Sequence, residues 1–411
     1  MDLLAVSYML PPNLYPQAIQ VGRMLHNLPA RIGVVCGQVH QFASGLDCYP
    51  DFDEKLSYRL EVPFSPRLSG WTHRLAVYGF PLYARSPDEF KSWVPDAEKA
   101  VLAHFERNPE RPQALLTFGE PMSDHLLGLR LKQKLALPWV AHFSDPWSDN
   151  PFRRRFPLSN FLNRRYEAQV VRHADRVIFT SQETLDLVMR KYPGEWRAKA
   201  RVLPHGFEPA LYGERQREGD DSIVLRYLGN FYGNRSPLPL FKALAILHRE
   251  SPSLLEGVRV ELVGHIPPRM FMNSAYRALP AGLVQTVSTV SYRQSLRLMA
   301  DADLLLVIDA PEEFSVFLPS KLVDYLGAGV PILGIVPPGA SAKLISRMGG
   351  EVANPRDLPA VVDSLRRSIA DCRQAQAEKR NTSWGNSTVR QQYCADTVAE
   401  RLHSIISEVV A

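Results

Sequence analysis

The 411-residue sequence contains few cysteines and no long apolar run. Its four cysteines (Cys36, Cys48, Cys372 and Cys394) include no C-x-x-C pair, which argues against a disulfide scaffold and against a cysteine-zinc site. No stretch approaches the ~18 apolar residues of a membrane-spanning helix. The N-terminus lacks the basic segment and the small-residue cleavage site of a signal peptide. We therefore expect a cytoplasmic protein, either free in solution or peripheral at the inner face of the membrane.

The sequence also lacks a large excess of charge of one sign and the common nucleotide-binding motifs. With 48 basic and 43 acidic residues, the formal net charge is +5, too small an excess to indicate nucleic acid as a partner. Neither a G-x-G-x-x-G nor a Walker A motif occurs, which argues against a dinucleotide dehydrogenase and a P-loop NTPase. Two Asp-x-Asp triplets, at 51–53 and 301–303, are better explained as surface carboxylates than as metal ligands. We expect no cofactor and no tightly bound metal.

What the sequence does contain is a regular alternation of short apolar runs and longer helical patterns. Unbroken apolar runs are typical of parallel strands buried on both faces, so the alternation predicts an α/β fold with doubly wound, Rossmann-like sheets. The predicted strands are 3–7, 32–36, 114–118, 139–143, 176–180, 223–228, 258–263, 283–286, 304–308 and 331–335. The predicted helices are 17–27, 88–107, 123–134, 160–173, 182–191, 238–248, 292–299, 321–327, 341–348, 358–371 and 388–410.

A polar, aperiodic segment divides this alternation into two series. It predicts an N-terminal domain at 1–205, a linker at 206–222 and a C-terminal domain at 223–385. The last segment, 386–411, is predicted to be a helix that packs back toward the N-terminal domain. Ligands of open α/β sheets bind at the carboxyl ends of the strands. We therefore expect the two domains to face a cleft that holds the functional site.

The most informative segment is EEFSVFLPSKLVDYLGAGVPIL, residues 312–333. Pro319 stops helix before it and Ser320 is a predicted N-cap, so a helix N-terminus presents free backbone N–H groups beside Lys321. Such a terminus binds anions, and a diphosphate suits it. Asp324 follows on the same helix face and could accept hydrogen bonds from a ribose diol. The alternative is an ordinary capped helix on which Lys321 and Asp324 form a solvated pair.

PSKLVDYLGAGVPIL resembles the nucleotide-sugar-binding segment of retaining family 4 glycosyltransferases of polysaccharide assembly, which have the GT-B fold. Further matches are VSYMLPP, AHFSDPWSDNP, HADRVIFTSQETLDLV, VLPHGFEP and LRYLGNFYGNRSPLPLFKAL, which occur in the family's order along nearly the whole chain. The resemblance implies an enzyme that transfers a sugar from a nucleotide diphosphate sugar to a saccharide or lipid-linked acceptor. It implies retention of configuration and a role in the synthesis of cell-surface polysaccharides or glycoconjugates.

We predict six donor-binding residues: Gly229, Asn230, Arg235, Ser320, Lys321 and Asp324. Two departures from the family pattern concern this site. Asp324 stands at the second position of the family's Glu-x7-Glu pair, and Val316 occupies the first, with Glu312 and Glu313 out of register. The family's Arg-x4-Lys pair is not matched, because Arg235 and Lys242 are seven residues apart.

The end of the strand at 139–143 is the predicted catalytic and acceptor side. Asp145 matches the Asp of the family's His-Asp pair, and His142 lies two residues before Ser144 on the same strand face. Asp145 and His142 are therefore the catalytic candidates. The acceptor-side candidates are Asn13, Ser123, His125, Ser144 and Trp147. A core position is the alternative for His142, and aromatic packing is the alternative for Trp147.

Arginines and aromatic residues alternate in the segment 152–176. Arg153, Arg154 and Arg155 precede a helix that carries Arg164 and Arg165. One interpretation is a patch that binds an anionic membrane surface beside the acceptor site. The other is a solvated helix face, and no known nucleic-acid-binding module fits.

Two other functions fit the same fold. Nucleotide-sugar 2-epimerases share it, but they need a cluster of carboxylates for proton abstraction that the sequence does not show clearly. A non-catalytic protein that binds nucleotide sugars is the other alternative, because the first acidic residue of the family pair is displaced.

Overall fold

The computed structural model describes residues 1–13, 15–38, 49, 51–64, 86–152, 156–213, 222–378 and 384–410. The chain divides into two compact units. The first unit combines Met1–Gly206 with Ala395–Ala411, and the second is Phe207–Cys394. Each unit is built on a parallel sheet, which confirms the prediction of two doubly wound α/β domains.

The first unit contains seven described strands: β1 (Asp2–Val6), β2 (Arg31–Gly37), β3 (Leu56–Val62), β4 (Ala114–Gly119), β5 (Trp139–Phe143), β6 (Arg176–Phe179) and β7 (Ala200–Val202). They lie in the order β3-β2-β1-β4-β5-β6-β7, and all pairs are parallel. The strand order reverses between β1 and β4, which is where such sheets bind ligands. The sequence did not predict β3 and β7, because these edge strands are partly exposed and lack a buried apolar run.

The helices of the first unit cover both faces of this sheet. Within Met1–Gly206 they are α1 (Pro16–His26), α2 (Val94–Arg107), α3 (Ser123–Leu135), α4 (Pro157–His173), α5 (Gln182–Met189) and the short α6 (Gly194–Arg197). The core beneath them is rich in aromatic residues, with Trp93, Trp139, Phe143 and Trp147 fully buried.

The second unit contains six described strands: β8 (Ile223–Leu228), β9 (Val258–Val263), β10 (Val284–Val287), β11 (Leu304–Ile308), β12 (Ile332–Ile335) and β13 (Glu351–Ala353). Their order is β10-β9-β8-β11-β12-β13, again parallel throughout. The order reverses between β8 and β11. Only β13 was not predicted, since this three-residue edge strand is too short to show a pattern.

The helices of the second unit are α7 (Leu238–Glu250), α8 (Ser274–Arg277), α9 (Tyr292–Ala300), α10 (Ser320–Ala328), α11 (Ala340–Met348), α12 (Leu358–Ala377) and α13 (Ser387–Gln391). Helix α10 ends at Gly329, which has φ = +64° and therefore the left-handed conformation that glycine adopts without strain. This turn directs the chain from α10 into β12.

The structure corrects two predictions about chain organisation. The single C-terminal helix predicted at 388–410 is two helices, α13 and α14 (Ala395–Val410). It breaks because the backbone around Tyr393 and Cys394 pairs with Phe207 instead of continuing the helix. The predicted linker begins at 206, yet Phe207 is 1% exposed in the core of the second unit. Residues 214–221 of that linker lie outside the described residues.

Candidate functional site

The predicted donor residues converge at the point where the strand order of the second sheet reverses. Gly229, Asn230 and Arg235 lie in the segment after β8, and α10 follows its neighbour β11. A Cβ atom on Gly229 would lie 3.2 Å from Nζ of Lys321, so the ammonium group sits against the Gly229 backbone. The Asn230 side chain is turned to the next strand end, where its Oδ1 accepts a hydrogen bond from the His265 N–H (2.9 Å).

Beside the Gly229 backbone, Lys321 carries a positive charge that no ion pair with a described residue neutralises. Its side chain forms no hydrogen bond or ion pair with the part of the chain that the structure describes. Although the residue as a whole is exposed, desolvation by the surrounding protein lowers the pKa of the ammonium. Asp324 opposes this shift and Arg235 adds to it. An anion that replaces the lost hydration would therefore be bound favourably here.

The backbone at the start of α10 is also available to an anion. The helix begins at Ser320, and Pro319 is the N-cap, with no side-chain hydrogen bond to the first N–H groups. The predicted N-cap, Ser320, is therefore displaced by one position and becomes the first helical residue. Because Pro319 has no side-chain acceptor, the positive end of this nine-residue helix is left uncapped.

Arg235, the second predicted phosphate ligand, is already paired. Its guanidinium donates to Oδ1 of Asp309 at 2.9 Å, and Asp309 is 5% exposed at the end of β11. Burial lowers the pKa of Arg235, but the interaction with Asp309 more than offsets this and the pKa is raised overall. The sequence analysis missed Asp309, although its place directly after a buried strand was a usable signal.

Asp324 is buried, at 3% exposure, and does not form the solvated surface pair given as the alternative. Its Oδ1 accepts a hydrogen bond from the hydroxyl of Tyr292 (3.0 Å), and its backbone carbonyl accepts one from the hydroxyl of Tyr212 (2.8 Å). Tyr292 starts α9 and lies 32 residues away in sequence, so nothing in the local pattern could have indicated it. These contacts fix the carboxylate beside the start of α10.

In the first unit, three predicted site residues are core residues. His142 and His125 are 1% and 0% exposed, and burial lowers their pKa to about 4 and about 3 respectively. A hydrogen bond also joins Nδ1 of His125 to Oγ1 of Thr117 (2.8 Å). Trp147 is fully buried and donates from Nε1 to Oδ1 of Asn163 (2.8 Å). This burial corrects the predicted catalytic role of His142 and the acceptor-side roles of His125 and Trp147, since a substrate cannot reach them.

The other predicted residues of the first unit lie at the carboxyl edge of its sheet. Ser144 follows β5 and donates to Oε1 of Gln17 on α1 (3.1 Å). Ser123 is fully buried and donates to Oδ1 of Asp88 (2.5 Å), so its hydroxyl serves the fold and not an acceptor. Asn13 is 5% exposed, and Asp145 is partly exposed. Asp145 thus stays the catalytic candidate of this unit.

Sequence reasoning missed one acidic residue at this edge. Asp124, on the first turn of α3, accepts a hydrogen bond from the Tyr8 N–H at 2.8 Å, which joins the segment after β1 to the helix after β4. Burial and the nearby charge of Asp88 raise the pKa of Asp124 well above its usual range, opposed by the Tyr8 hydrogen bond. This pair fixes the loop that follows β1, at the reversal of strand order in the first sheet.

The structure also bears on metal and membrane predictions. Among the described residues, no group of three or more His, Cys, Asp or Glu side chains is arranged to hold a metal ion. No described helix is both long enough and apolar enough to cross a membrane. Arg153, Arg154 and Arg155, predicted to meet an anionic membrane surface, lie outside the described residues.

Comparisons with known proteins agree with this architecture. Residues 21–206 match the family model of the glycosyl transferase 4-like domain. D-inositol 3-phosphate glycosyltransferase of Streptomyces avermitilis is 26% identical over 220 residues, which cover 50% of this chain and 46% of that protein. The chain thus matches about half the length of this curated relative.

Two solved structures resemble the whole chain. Alr3699/HepE of Anabaena, in complex with UDP and glucose, is 16% identical with a TM-score of 0.61 over 99% of this chain and 100% of that chain. Sucrose-phosphate synthase of Thermosynechococcus elongatus is 14% identical with a TM-score of 0.67 over 99% of this chain and 98% of that chain. At these identities the likeness establishes the fold. The two parallel-sheet units are those of the GT-B class.

Within that class, the first unit is similar to the glycosyl transferase 4-like domain family, whose model matches residues 21–206. The resemblance to family 4 glycosyltransferases is thereby confirmed.

Proposed function

We propose that this protein is a glycosyltransferase that moves a sugar from a nucleotide diphosphate sugar to a saccharide or lipid-linked acceptor, with retention of configuration. The family of its first unit and the names of its relatives support this activity. The observation that carries the proposal is the anion site of the second unit, where the unpaired ammonium of Lys321 meets the uncapped start of α10.

The chemistry requires such a site. During transfer, the bond between the anomeric carbon and the diphosphate oxygen breaks, and a new bond forms to the acceptor hydroxyl, whose proton is released. The departing nucleoside diphosphate gains negative charge, which fixed positive groups stabilise. Lys321 and the helix N-terminus supply that charge in the proposal, and no tightly bound metal is invoked. Arg235 contributes less, because Asp309 already compensates it.

The remaining donor and acceptor roles are assigned by position. Asp324, held beside the start of α10 by Tyr292, binds the ribose diol, and the backbone of Gly229 and Asn230 approaches the sugar or the phosphates. Asp145 orients the acceptor hydroxyl; its partial exposure after β5 supports this role. The site of action is the cytoplasm, at the inner face of the membrane, where Arg153, Arg154 and Arg155 meet anionic lipids. The product is a cell-surface polysaccharide or glycoconjugate.

The donor site is tested by titrating UDP into the wild type and the Lys321→Ala variant. A charge-assisted hydrogen bond contributes about 1.5–3 kcal/mol, so we expect the dissociation constant for UDP to rise about 10- to 100-fold. Lys242→Ala is the matched control, because Lys242 is exposed on α7 and forms no contact in the described structure that the substitution would remove. Equal affinity of Lys321→Ala and wild type would disprove the phosphate assignment.

The activity itself is tested by incubating the protein with a panel of nucleotide sugars, with and without saccharide acceptors and in EDTA. Release of nucleoside diphosphate that depends on the acceptor and persists in EDTA supports the proposal. Interconversion of sugars without an acceptor would indicate a 2-epimerase instead. Binding without turnover would indicate a non-catalytic nucleotide-sugar-binding protein.

A further inference from the structure

Large apolar side chains are exposed at the start of α4. Phe152, Phe156, Leu158 and Phe161 are 50%, 37%, 56% and 60% exposed. We call these four residues the apolar patch. They are four of the eight large apolar residues exposed in the described part of the chain, and they lie within ten consecutive positions. Single exposed apolar residues need no explanation, but a local concentration of them marks a contact surface.

The first three turns of α4, residues 157–167, are inverted relative to an ordinary surface helix. Its buried face is polar, with Ser159, Asn163 and Glu167 at 6%, 8% and 0% exposure, whereas Leu158 and Phe161 face outward. A helix that only covers a soluble core buries its apolar face and exposes its polar one. Packing of the core therefore does not explain the outward apolar face.

Hydrogen bonds fix the helix in this inverted orientation. Asn163 accepts from the Trp147 indole (2.8 Å), and the hydroxyls of Ser159 and Ser86 are 2.9 Å apart. Glu167 accepts from the Ser148 N–H (2.8 Å) and from the Tyr192 hydroxyl (2.6 Å), and it pairs with Lys191 at 2.6 Å. Rotating α4 to bury the apolar patch would break all of these bonds, so the patch stays exposed.

The exposed surface of α4 is positively charged as well as apolar. Arg164 and Arg165 follow Phe161 by one turn, and both are exposed without an ion pair to any described residue. The only acid of the helix is Glu167, which is buried and paired with Lys191. The sequence adds three arginines between Phe152 and Phe156.

We propose that the apolar patch inserts into the interfacial region of a bilayer that contains anionic lipids, with Arg164 and Arg165 contacting the headgroups. Aromatic and leucine side chains beside arginines are the composition of helices that lie in a membrane interface. The patch supplies burial of apolar area, which an arginine cluster alone does not, so binding persists in part at high salt. This inference deepens the proposed function by selecting a lipid-linked acceptor, and the last experiment separates the two.

The test is sedimentation of the full-length protein with phosphatidylcholine vesicles, with and without phosphatidylglycerol. The apolar variant is Leu158→Ser with Phe161→Ser, and its matched control is Met272→Ser with Phe314→Ser, which changes two exposed apolar residues of the second unit. The charge variant is Arg164→Gln with Arg165→Gln. Its matched control is Arg269→Gln with Arg277→Gln, two exposed arginines of the second unit.

We expect the wild type and both controls to bind vesicles with phosphatidylglycerol. The apolar variant should bind them about tenfold more weakly at every salt concentration. The charge variant should bind about 30-fold more weakly at low salt and nearly like the wild type at high salt. All the exchanged side chains are exposed, so unchanged far-UV circular dichroism and melting temperature confirm that the variants are folded.

Three results would overturn the inference. The apolar variant could bind vesicles as the wild type does, or the wild type could fail to bind them. Light scattering could also show that the wild type self-associates through the patch and the apolar variant does not, which would assign the patch to a second copy of the chain. Titration with a panel of nucleoside diphosphates keeps the proposals apart. A chain that binds vesicles but none of these nucleotides contradicts the proposed function alone, and the reverse contradicts only this inference.

Discussion

At the residue scale, two cations at the end of the second sheet differ in what they can do. Arg235 and Lys321 both lie where the strand order reverses. Asp309 compensates the charge of Arg235, whereas the ammonium of Lys321 has no partner among the described residues. A paired arginine positions the loop after β8, and an unpaired lysine attracts an anion. In the proposed function, the affinity for a diphosphate therefore depends mainly on Lys321 and the helix start beside it.

A buried ion pair in the second unit makes a prediction about stability. Arg226 and Glu261, 5% and 8% exposed on adjacent strands, are joined at 2.7 Å. Glu261→Ala leaves the guanidinium buried and unpaired, which should lower the free energy of unfolding by about 3–5 kcal/mol. The exposed pair of Glu250 with Arg366 provides the control, and Glu250→Ala should cost less than ~1 kcal/mol. Urea denaturation of both variants measures the difference, and equal losses would contradict this account.

Buried histidines of the first unit make the stability dependent on pH. Burial lowers the pKa of His125 to about 3, of His142 to about 4 and of His205 to about 3, and the neighbouring histidine or arginine charges add to the effect at His125 and His205. The unfolded chain takes up these protons near pH 6.5, before the folded chain does. Stability is therefore complete above that pH and is lost as the pH falls through about 6.5 toward 3.

When the pH is lowered from 7 to 5, each of these histidines should reduce the free energy of unfolding by about 2 kcal/mol. Denaturation with urea at the two pH values measures the loss. In the His142→Phe variant, the loss of unfolding free energy between the two pH values should be smaller by about 2 kcal/mol. His265→Gln, at an exposed position, should leave the loss unchanged. An identical pH dependence in wild type and His142→Phe would refute the assignment.

At the scale of elements, α14 belongs to the first unit although it follows the second unit in sequence. It packs on α1 and β4, with Val398, Leu402 and Ile406 buried, and Glu408 pairs with Arg176 and Arg201. The chain thus returns to its first unit after completing the second one. The core of the first unit is therefore completed by a helix that follows the second unit in sequence.

Leu402→Ala tests this element, because Leu402 is 0% exposed on the packed face of α14. The cavity and the lost burial should reduce the free energy of unfolding of the first unit by about 2–5 kcal/mol. Glu400→Ala changes an exposed position on the same helix and should stay within ~0.5 kcal/mol. Thermal unfolding followed by circular dichroism compares the two, and a small effect of Leu402→Ala would show that α14 contributes little to the core.

At the scale of the whole molecule, each unit has its own sheet, its own core and its own reversal of strand order. The proposed anion site lies wholly within the second unit, since β8, β11 and α10 all belong to it. The candidates for the acceptor lie in the first unit. The proposed function thus assigns donor and acceptor recognition to separately packed parts of the chain.

This separation predicts where a nucleotide protects the backbone. On adding UDP to the full-length protein, hydrogen exchange should slow in the segment after β8 and at the start of α10, because those amides bind or contact the diphosphate. The amides of β5 and α3 in the first unit should exchange as before. Mass spectrometry of peptides from both units measures this, and protection restricted to the first unit would contradict the placement of the donor site.

The sequence by itself determined most of the fold. Buried strands such as β5, β8, β9 and β11 were predicted with their observed bounds, because a strand covered on both faces shows as an unbroken apolar run. The edge strands β3, β7 and β13 were missed because exposure mixes polar residues into them. The start of α10 was predicted to within one residue for a similar reason, since helix boundaries are a local property of the sequence.

Only the tertiary structure decided which polar residues are available to a substrate. His142 and Trp147 stand next to a strand end in sequence, yet packing from other elements covers both, whereas Lys321 is left unpaired. The partners of Arg235 and Asp324 lie 74 and 32 residues away in sequence. No local pattern could therefore show that Asp309 compensates the charge of Arg235, or that Tyr292 positions the carboxylate of Asp324. The inverted orientation of α4 is likewise set by distant residues, because hydrogen bonds to its polar face outweigh burial of its apolar one. The hydrophobic periodicity and the helix boundary signals are local features of the sequence. The pairing of charges and the burial of side chains depend on residues distant in sequence that only folding brings together.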